Sequence, residues 1–355
     1  MGTPVYPPRR KLDPLHGTHD PVSGTPDRAP NSIRRTTTID MVRPDGVRRD
    51  LKLIGRARDI RTNADGSLDV LDEAAIDAVV DYLDAVTITS IEASPWVDGL
   101  DKILGVSAAT GFRAAVDGAI GELTVRGRPI YQLLDDVPVA TLVSGYAVGF
   151  AGGHDNDGAD DGRRMRQAEG MAALQVADLC AGFQAGGTIM KAREEGTRRN
   201  GGAVTGPVAP PLEHSDDPHA WHEHGAMTPD GMRRRRRIDL KRSATNPRHV
   251  EVDELFRDSH LGDDGYETII HEYVVRAIVD TSTMTFVHAE ALPQVLPWYE
   301  CPQAAASAQR LNGRPLNMLR PAVRAEFLGP TTCTHLNDTL RALEDVAYLI
   351  RSLPE

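Results

Sequence analysis

Four residues in the last third of the chain carry side chains that bind transition metals: His271, Cys301, Cys333 and His335. Thiolate sulfur and imidazole nitrogen are donors that zinc and iron prefer in proteins. Cys333 and His335 are only two residues apart, so both can reach one ion without reshaping the backbone. We therefore predict a Cys/His metal site built from three separate segments. The alternative is a set of buried thiols and hydrogen-bonded histidines.

The first of these segments is a predicted β-hairpin that His271 and Glu272 open. Side chains alternate along a strand, so the two residues are expected on opposite faces. Glu272 is nevertheless the candidate general base, with an exposed strand carboxylate as the alternative. Arg276 is the candidate group for binding an anionic substrate, with a structural ion pair as the alternative.

The second segment is a helix start at Cys301. Pro302 follows it, and proline is favoured at the first helical position because its missing N–H needs no partner there. We expect Cys301 to be the N-cap of a helix that ends near Gly313. The helix N-terminus should then lower the pKa of the thiol and favour the thiolate.

The third segment places Cys333 and His335 at the entrance of the last helix. Apolar residues recur at helical spacing from Leu336 to Ile350, so this helix is expected to pack one face on a sheet. Another predicted helix, at about 315–327, precedes it. Cys180 could also lie near the site, and a plain buried thiol is the alternative reading.

These motifs resemble those of a bacterial domain family of unknown function. The family is recognised by an early His-Glu or His-Asp strand, a central Tyr-x-Cys and a late Cys-Thr-His-Leu. Here they correspond to His271-Glu272, Tyr299-Glu300-Cys301 and Cys333-Thr334-His335-Leu336. The resemblance extends more loosely to 34–59 and 178–182.

The C-terminal part is also distantly similar to the NifU and IscU iron–sulfur scaffold proteins, over about 266–350. In those, a ligand opens a hairpin, a second caps a helix, and adjacent His and Cys precede the last helix. His271 stands where the scaffold has a cysteine, and one residue separates Cys333 from His335. Fewer thiolates favour one mononuclear Zn or Fe ion over an iron–sulfur cluster.

Sequence similarity between the two halves of the chain indicates two related units. Residues 39–43 resemble 238–242 and residues 78–81 resemble 277–280, both at an offset of 199, while 136–146 resembles 338–348 at an offset of 202. The predicted fold is therefore α+β, with two related units of antiparallel sheet covered by helices, from an internal duplication. His271-Glu272 falls opposite Asp72-Glu73, so the first copy is expected to have lost its metal site.

The predicted domain organisation follows from composition. Residues 1–31 are rich in Pro, Gly, Asp and Arg and are expected to form a disordered tail. The first sheet-plus-helices unit spans 32–150, and 232–355 is the metal-site unit. Between them, 151–231 is expected to hold an acidic loop, a helix from Arg164 to Phe183, and a Pro- and His-rich linker or surface wrap.

The charge of −11 opposes a general affinity for nucleic acid or an anionic membrane. The basic run Arg233–Arg237 is the local exception, and we interpret it as a solvated strand lead-in or a carboxylate-paired edge. Three cysteines are too few for a disulfide framework. No apolar stretch matches a signal or a membrane span, so we predict a cytoplasmic protein.

Three functions remain open at this stage. The first is a Zn- or Fe-dependent enzyme that acts on a small organic substrate by lyase or hydrolase chemistry, and a homodimer is compatible with it. The second is a metal or iron–sulfur scaffold, or a structural zinc protein without catalysis. The third is a thiol enzyme that uses Cys333 with His335 as its base.

Overall fold

One antiparallel sheet of eight strands organises the chain, in the order β4-β3-β2-β1-β5-β6-β7-β8. The computed structural model describes residues 3–7, 14–46, 49–82, 85–121, 126–151, 176–195, 204–213 and 216–354. The predicted acidic loop at 152–162 lies outside them, as does most of the helix predicted from Arg164. The end of that prediction is wrong, because only Ala181–Phe183 is helical, as one 3₁₀ turn.

Each half of the sheet is a meander of four strands. The first half contains β1 (Ser32–Val42), β2 (Leu51–Thr62), β3 (Leu68–Asp81) and β4 (Thr87–Ser94). The second contains β5 (Met232–Arg242), β6 (His249–Leu261), β7 (Glu267–Asp280) and β8 (Thr285–Val295). The α+β class is confirmed, and the predicted hairpin that contains His271 and Glu272 is formed by β7 and β8.

The two halves join through β1 and β5, which pair antiparallel. Thr37 lies opposite Arg236, and these two residues are also separated by the offset of 199 found in the sequence. Chain positions related by that offset are therefore placed symmetrically about the centre of the sheet. The two predicted units share one continuous sheet.

Helices cover one face of this sheet. The first half carries α1 (Phe112–Ile120), α2 (Pro129–Val143) and α3 (Gly145–Ala151), and α4 (Thr188–Glu194) follows. The second half carries a 3₁₀ helix (Cys301–Leu311), α5 (Leu319–Glu326), α6 (Thr334–Ala342) and α7 (Val346–Leu349). The single helix expected over 336–350 is thus broken near Leu343. Alternate strand residues and the inner helix faces form the two large apolar clusters of the core.

The segment Pro129–Ala151 is long and apolar enough to cross a membrane, judged by length and composition. However, 78% of its apolar window is buried inside the protein. Such burial is typical of the core helix of a globular protein.

Two extended segments cover the centre of the opposite face. The Leu15 amide donates to the Thr205 carbonyl at 3.1 Å, and the Thr25 hydroxyl donates to the Leu212 carbonyl. Trp221 and Leu212 are buried against Val274 of this face, with Val22 packed beside them, whereas Leu15 packs into the core on the helix-covered side. Residues 14–31 are therefore an ordered covering, and the predicted disordered tail is wrong for them. The Pro- and His-rich region forms a surface wrap, one of the two expected forms.

The basic run Arg233–Arg237 lies in the middle of the sheet and is buried. Carboxylate pairing was expected and is present, but the solvated or edge position is wrong. Hydrophobicity alone does not identify a central strand whose guanidinium groups are paired across the sheet. Arg234 and Arg236 face the helices, whereas Arg233, Arg235 and Arg237 face the extended covering.

A layer of buried ions separates the sheet from its helices. Its cations contact carboxylates on both neighbouring strands and helices, as in Arg35, which pairs with Asp59 at 2.6 Å and Asp345 at 2.9 Å. The principal members are Arg35, Arg234, Arg236, Arg320, Arg341, Asp59, Asp135, Asp136, Glu254, Asp258, Asp338, Glu344 and Asp345. Burial raises the pKa of Glu254 to about 8, although the neighbouring Arg236 guanidinium acts in the opposite direction.

Several of these ion pairs recur in both halves at the offset of 199. Arg35–Asp59 corresponds to Arg234–Asp258, and both pairs use two hydrogen bonds. Across the central strand pair, Arg34 binds Asp239 and Arg233 binds Asp40. Adding 199 to the positions Arg34 and Asp40 gives Arg233 and Asp239, so each pair is the counterpart of the other. Equivalent charges therefore occupy equivalent places in the two halves.

Removal of one buried cationic side chain should lower the free energy of unfolding far more than removal of an exposed one. Arg35→Met leaves Asp59 and Asp345 without their shared cation, and we expect a loss of about 3–5 kcal/mol in the free energy of unfolding. Arg61→Met, at the exposed Arg61–Asp69 pair, should cost less than about 1 kcal/mol. Urea unfolding monitored by circular dichroism compares them, and equal losses would contradict the account.

Candidate metal centre

Two strands and one helix position the candidate site. Asp258 on β6 lies opposite His271 on β7 in the strand register, with both side chains on the helix-covered face. His335 lies in the first turn of α6, directly above them. The distant segments that carry His271 and His335 therefore do converge, as the sequence indicates.

The donor atoms of Asp258, His271 and His335 all lie within 4.8 Å of one another, the one such group among the described residues. The Oδ2 atom of Asp258 is 4.0 Å from Nδ1 of His271 and 3.9 Å from Nε2 of His335. The two imidazole rings are stacked, with centroids 3.5 Å apart. Two imidazoles and one carboxylate thus face a single small volume.

Nδ1 of His271 is buried and has no hydrogen-bond partner. A buried polar atom without a partner is rare and costs about 1–3 kcal/mol. Oδ2 of Asp258 lies 4.0 Å from it. A cation between the three would supply the missing partner.

Both imidazoles are held neutral. Burial and the nearby Arg234 guanidinium lower the pKa of His335 to about 3. Burial, followed by the neighbouring His335, lowers the pKa of His271 well below its ordinary range. The neutral ring is the form that binds a metal, so no proton must be displaced from either histidine at neutral pH.

Arg234 fixes the carboxylate of the group. Its Nε and one terminal nitrogen each donate to Asp258 at 2.9 Å, and its other terminal nitrogen donates to Asp338 on α6. Asp338 lies one helical turn after His335. One guanidinium therefore ties the strand that carries Asp258 to the helix that carries His335.

The predicted thiol ligands lie beside this group and are not part of it. Sγ of Cys333 is 4.0 Å from Nδ1 of His335, on the side of the ring away from Asp258. Cys333 is the N-cap of α6, at the helix entrance as predicted. Burial, followed by the nearby Cys333, raises the pKa of Cys301, so the two sulfurs are neighbours, but Cys301 does not join the group of three donors.

The prediction of an activated Cys301 thiol is wrong. Cys301 is the first residue of its 3₁₀ helix and Glu300 is the N-cap. Burial raises the pKa of the Cys301 thiol well above its ordinary range. Desolvation outweighs the favourable helix terminus, because the side chain is only 5% exposed.

The two candidate catalytic residues do not face the metal donors. Glu272 lies on the opposite face of the sheet, where it accepts hydrogen bonds from Arg257 and from the backbone N–H of Val22. Arg276 lies on that face as well, is largely exposed and pairs with Asp253 at 3.5 Å. Strand alternation separates both from His271. The structural ion pair expected as the alternative for Arg276 is present, whereas Glu272 is buried and is not the exposed carboxylate expected as its alternative.

Arg276 does line a cavity of about 460 Å³ on the outer face of the sheet, together with Asp253, His288 and Glu290. A second cavity, of about 540 Å³, lies beside Arg58 and His219. Neither cavity is lined by the metal donors. In the Pro- and His-rich region, His214 lies outside the described residues. His222 is buried between the Thr36 and Thr38 hydroxyls.

Sequence reasoning missed Asp258. Its signal is present, because Arg58-Asp59 and Arg257-Asp258 recur at the offset of 199. A single carboxylate in a strand carries no recognisable spacing to histidines elsewhere in the chain. Only the strand register places it beside His271.

The corresponding place in the first half holds an internal cation. Asp59 and Asp72 are the counterparts of Asp258 and His271, and Arg128 pairs with Asp72 at 2.8 Å. The coulombic effect of Asp72 helps to raise the pKa of Asp59, after burial. The Arg128 guanidinium thus places a positive charge beside Asp72 in the first half, where a bound cation would place one in the second half.

A DUF2889 domain, described as a protein of unknown function, covers residues 232–349. This range runs from the start of β5 to the end of α7 and contains all three donors. No curated protein and no solved structure matches the chain. The expected domain of unknown function is thus supported, whereas the NifU and IscU resemblance and a bacterial origin stay predictions.

The buried neutral imidazoles predict a loss of stability in acid. The pKa of His335 is about 3 in the folded chain, against an ordinary 6.5. Below pH 6.5 the unfolded chain binds a proton that the folded chain excludes, so stability falls as the pH drops towards 3. Between pH 7 and 5, this one group should contribute about 1–2 kcal/mol of the loss.

Urea unfolding of the metal-free protein at pH 7 and pH 5 measures this contribution. His335→Gln should lose less stability than the wild type over that interval. The half-exposed His288 provides the matched control, and His288→Asn should keep the wild-type difference. The interpretation is refuted when His335→Gln loses as much stability as the wild type.

Proposed function

We propose that this protein is a metal-dependent enzyme that binds one Zn or Fe ion through His271, His335 and Asp258 and acts on a small organic substrate. The observation that carries the proposal is the convergence of two neutral imidazoles and one carboxylate, with Nδ1 of His271 buried and unpartnered. Lyase or hydrolase chemistry fits such a centre best.

The number of ligands favours catalysis over a structural role. Structural zinc sites fill four positions with protein donors, whereas catalytic sites keep at least one open. Two histidines and one carboxylate are also the donor set of non-haem Fe(II) sites with open positions. Three donors in this group leave room for water or substrate, which a fourth ligand from Cys301 or Cys333 would have occupied.

The surrounding residues have defined roles in this proposal. A metal ion bound here polarises a substrate oxygen or lowers the pKa of bound water. Arg234 orients Asp258, and the apolar surroundings of the rings keep both histidines neutral and exclude bulk water. Glu272 and Arg276 are not assigned catalytic roles, because they lie on the other face of the sheet.

We also propose that the two halves arose by duplication and that the first half lost its metal site. The recurrent Arg–Asp pairs at the offset of 199 support this view. In the first half, the Arg128–Asp72 pair supplies the positive charge and the half serves as a structural partner. Cytoplasmic location, the absence of nucleic-acid and membrane partners, and a homodimer stay predictions.

The burial of the centre favours a second candidate function, a metal scaffold or structural metal protein without catalysis. Asp258 is inaccessible and His271 is 4% exposed. In this role the ion would hold β6, β7 and α6 together or be passed to a partner. The order of candidate ligands along the sequence, which resembles that of the NifU and IscU scaffolds, favours this second function.

Metal analysis after loading with Zn(II) or Fe(II) tests the donor assignment. Wild-type protein should retain one ion per chain at these donors, and His335→Gln should lose most of it. Asp258→Asn should lose the ion as well, whereas Asp59→Asn, which removes the equivalent carboxylate in the first half, should retain it. Equal retention by Asp258→Asn and Asp59→Asn would exclude this centre.

Cobalt substitution distinguishes an open centre from a closed one. An open position predicts that azide changes the visible spectrum of the Co(II)-loaded protein in a saturable manner. A spectrum unaffected by azide, together with unfolding on chelation, would instead support the structural role. His288→Asn provides the control, because the half-exposed His288 lies outside the donor group and its variant should give the wild-type response.

A further inference from the structure

The three cysteines of the sequence come from three distant segments and lie in one buried region. Cys180 precedes the 3₁₀ turn Ala181–Phe183, Cys301 begins its 3₁₀ helix and Cys333 caps α6. Their exposed fractions are 7%, 5% and 4%. All three are free thiols.

Backbone contacts hold the segment of Cys180 against the other two. The Ala181 amide donates to the Thr332 carbonyl at 2.8 Å, next to Cys333 in the chain. A Cβ atom added at Gly182 would lie 2.8 Å from Sγ of Cys301, so only glycine permits this approach. The neighbours of Cys180 therefore contact both other thiol segments.

Polar groups lie near two of the sulfurs. The amides of Gly182 and Phe183 and the hydroxyl of Thr334 are close enough to Cys180 to favour its thiolate, and the Phe183 amide donates to the Cys180 carbonyl at 3.0 Å. Donors of this kind stabilise a thiolate and are the usual outer contacts of metal-bound sulfur.

Cys333 also lies near polar groups. The buried hydroxyl of Tyr273 is close to its sulfur but makes no hydrogen bond with the described residues, and all three cysteines act on this hydroxyl electrostatically. Burial raises the pKa of Cys333 to about 11, with a contribution from the neighbouring Cys180. Three buried sulfurs that come together beside a buried hydroxyl without a partner are suited to sharing a cation.

We propose that Cys180, Cys301 and Cys333 form a second metal site, which takes a thiophilic d¹⁰ cation such as Cu(I) or Zn(II). Three sulfur donors select soft cations over hard ones. On binding, each thiol releases one proton to solvent and its sulfur forms one bond to the cation. The side chains must close on the ion, since the sulfurs are not among the donors already within 4.8 Å of one another.

This site is separate from the imidazole–carboxylate centre and adjacent to it. Cys333 faces Nδ1 of His335, whereas Nε2 of the same ring faces Asp258. The second site does not depend on the enzymatic function proposed above. It also gives Cys180 a role that a buried structural thiol would not have.

Anaerobic titration of the reduced full-length protein with Cu(I), in competition with bathocuproine disulfonate, tests the proposal, and a parallel arm uses Zn(II). We expect one Cu(I) per chain and an ultraviolet thiolate-to-metal band. Cys180→Ser, Cys301→Ser and Cys333→Ser should each weaken binding by more than the roughly 10–100-fold effect of an outer contact. His271→Gln should keep the site, because His271 belongs to the other centre.

Each result separates the two sites. Cu(I) binding that depends on the cysteines supports the thiol site. Zn(II) binding supports it as well if it depends on the cysteines and is retained in His271→Gln. Comparison of the two arms decides which cation the site prefers. Binding that survives Cys180→Ser would overturn the three-thiol assignment. So would an absence of cysteine-dependent binding in both arms while circular dichroism shows folded protein. Loss of metal in His271→Gln alone concerns only the enzyme proposal.

Discussion

Guanidinium groups buried in the middle of the sheet must each find a carboxylate, and this requirement organises the molecule. Arg35 and Arg234 occupy central strands with almost no exposure, so an unpaired charge there would be very unfavourable. Their partners, Asp59 and Asp258, lie on the adjacent strands, and further carboxylates come from the helices. Strand register and helix placement are thus coupled through charge as well as through apolar packing.

The candidate metal centre is a consequence of this ionic layer. Arg234 holds the Asp258 carboxylate in one orientation and reaches the helix that carries His335. The same dry surroundings remove the proton from both imidazoles. In the first half, Arg128 lies against Asp72 at the corresponding place. The two halves therefore use one framework, with a fixed internal cation in one and neutral donors in the other.

The sequence was sufficient for the outline of the fold and for part of the site. Alternation and turn residues predict the hairpins, and residue type identifies His271 and His335. Asp258 was missed because a strand carboxylate becomes a ligand only through register. Cys301 is the first residue of its helix and not the predicted N-cap, and its pKa depends on burial, which spacing does not reveal. Residues 14–31 cover the sheet although their composition is typical of a disordered segment, because their contacts are made with residues about 190 positions away.

The central claim is that two imidazoles and the Asp258 carboxylate surround one metal ion. Anomalous diffraction from crystals of the Zn- or Fe-loaded protein, recorded above and below the absorption edge of the metal, tests it most directly. We expect an anomalous peak in contact with Nδ1 of His271, Nε2 of His335 and Oδ2 of Asp258. A fully loaded crystal with no peak at these three atoms, and with the metal bound only elsewhere, would contradict the account.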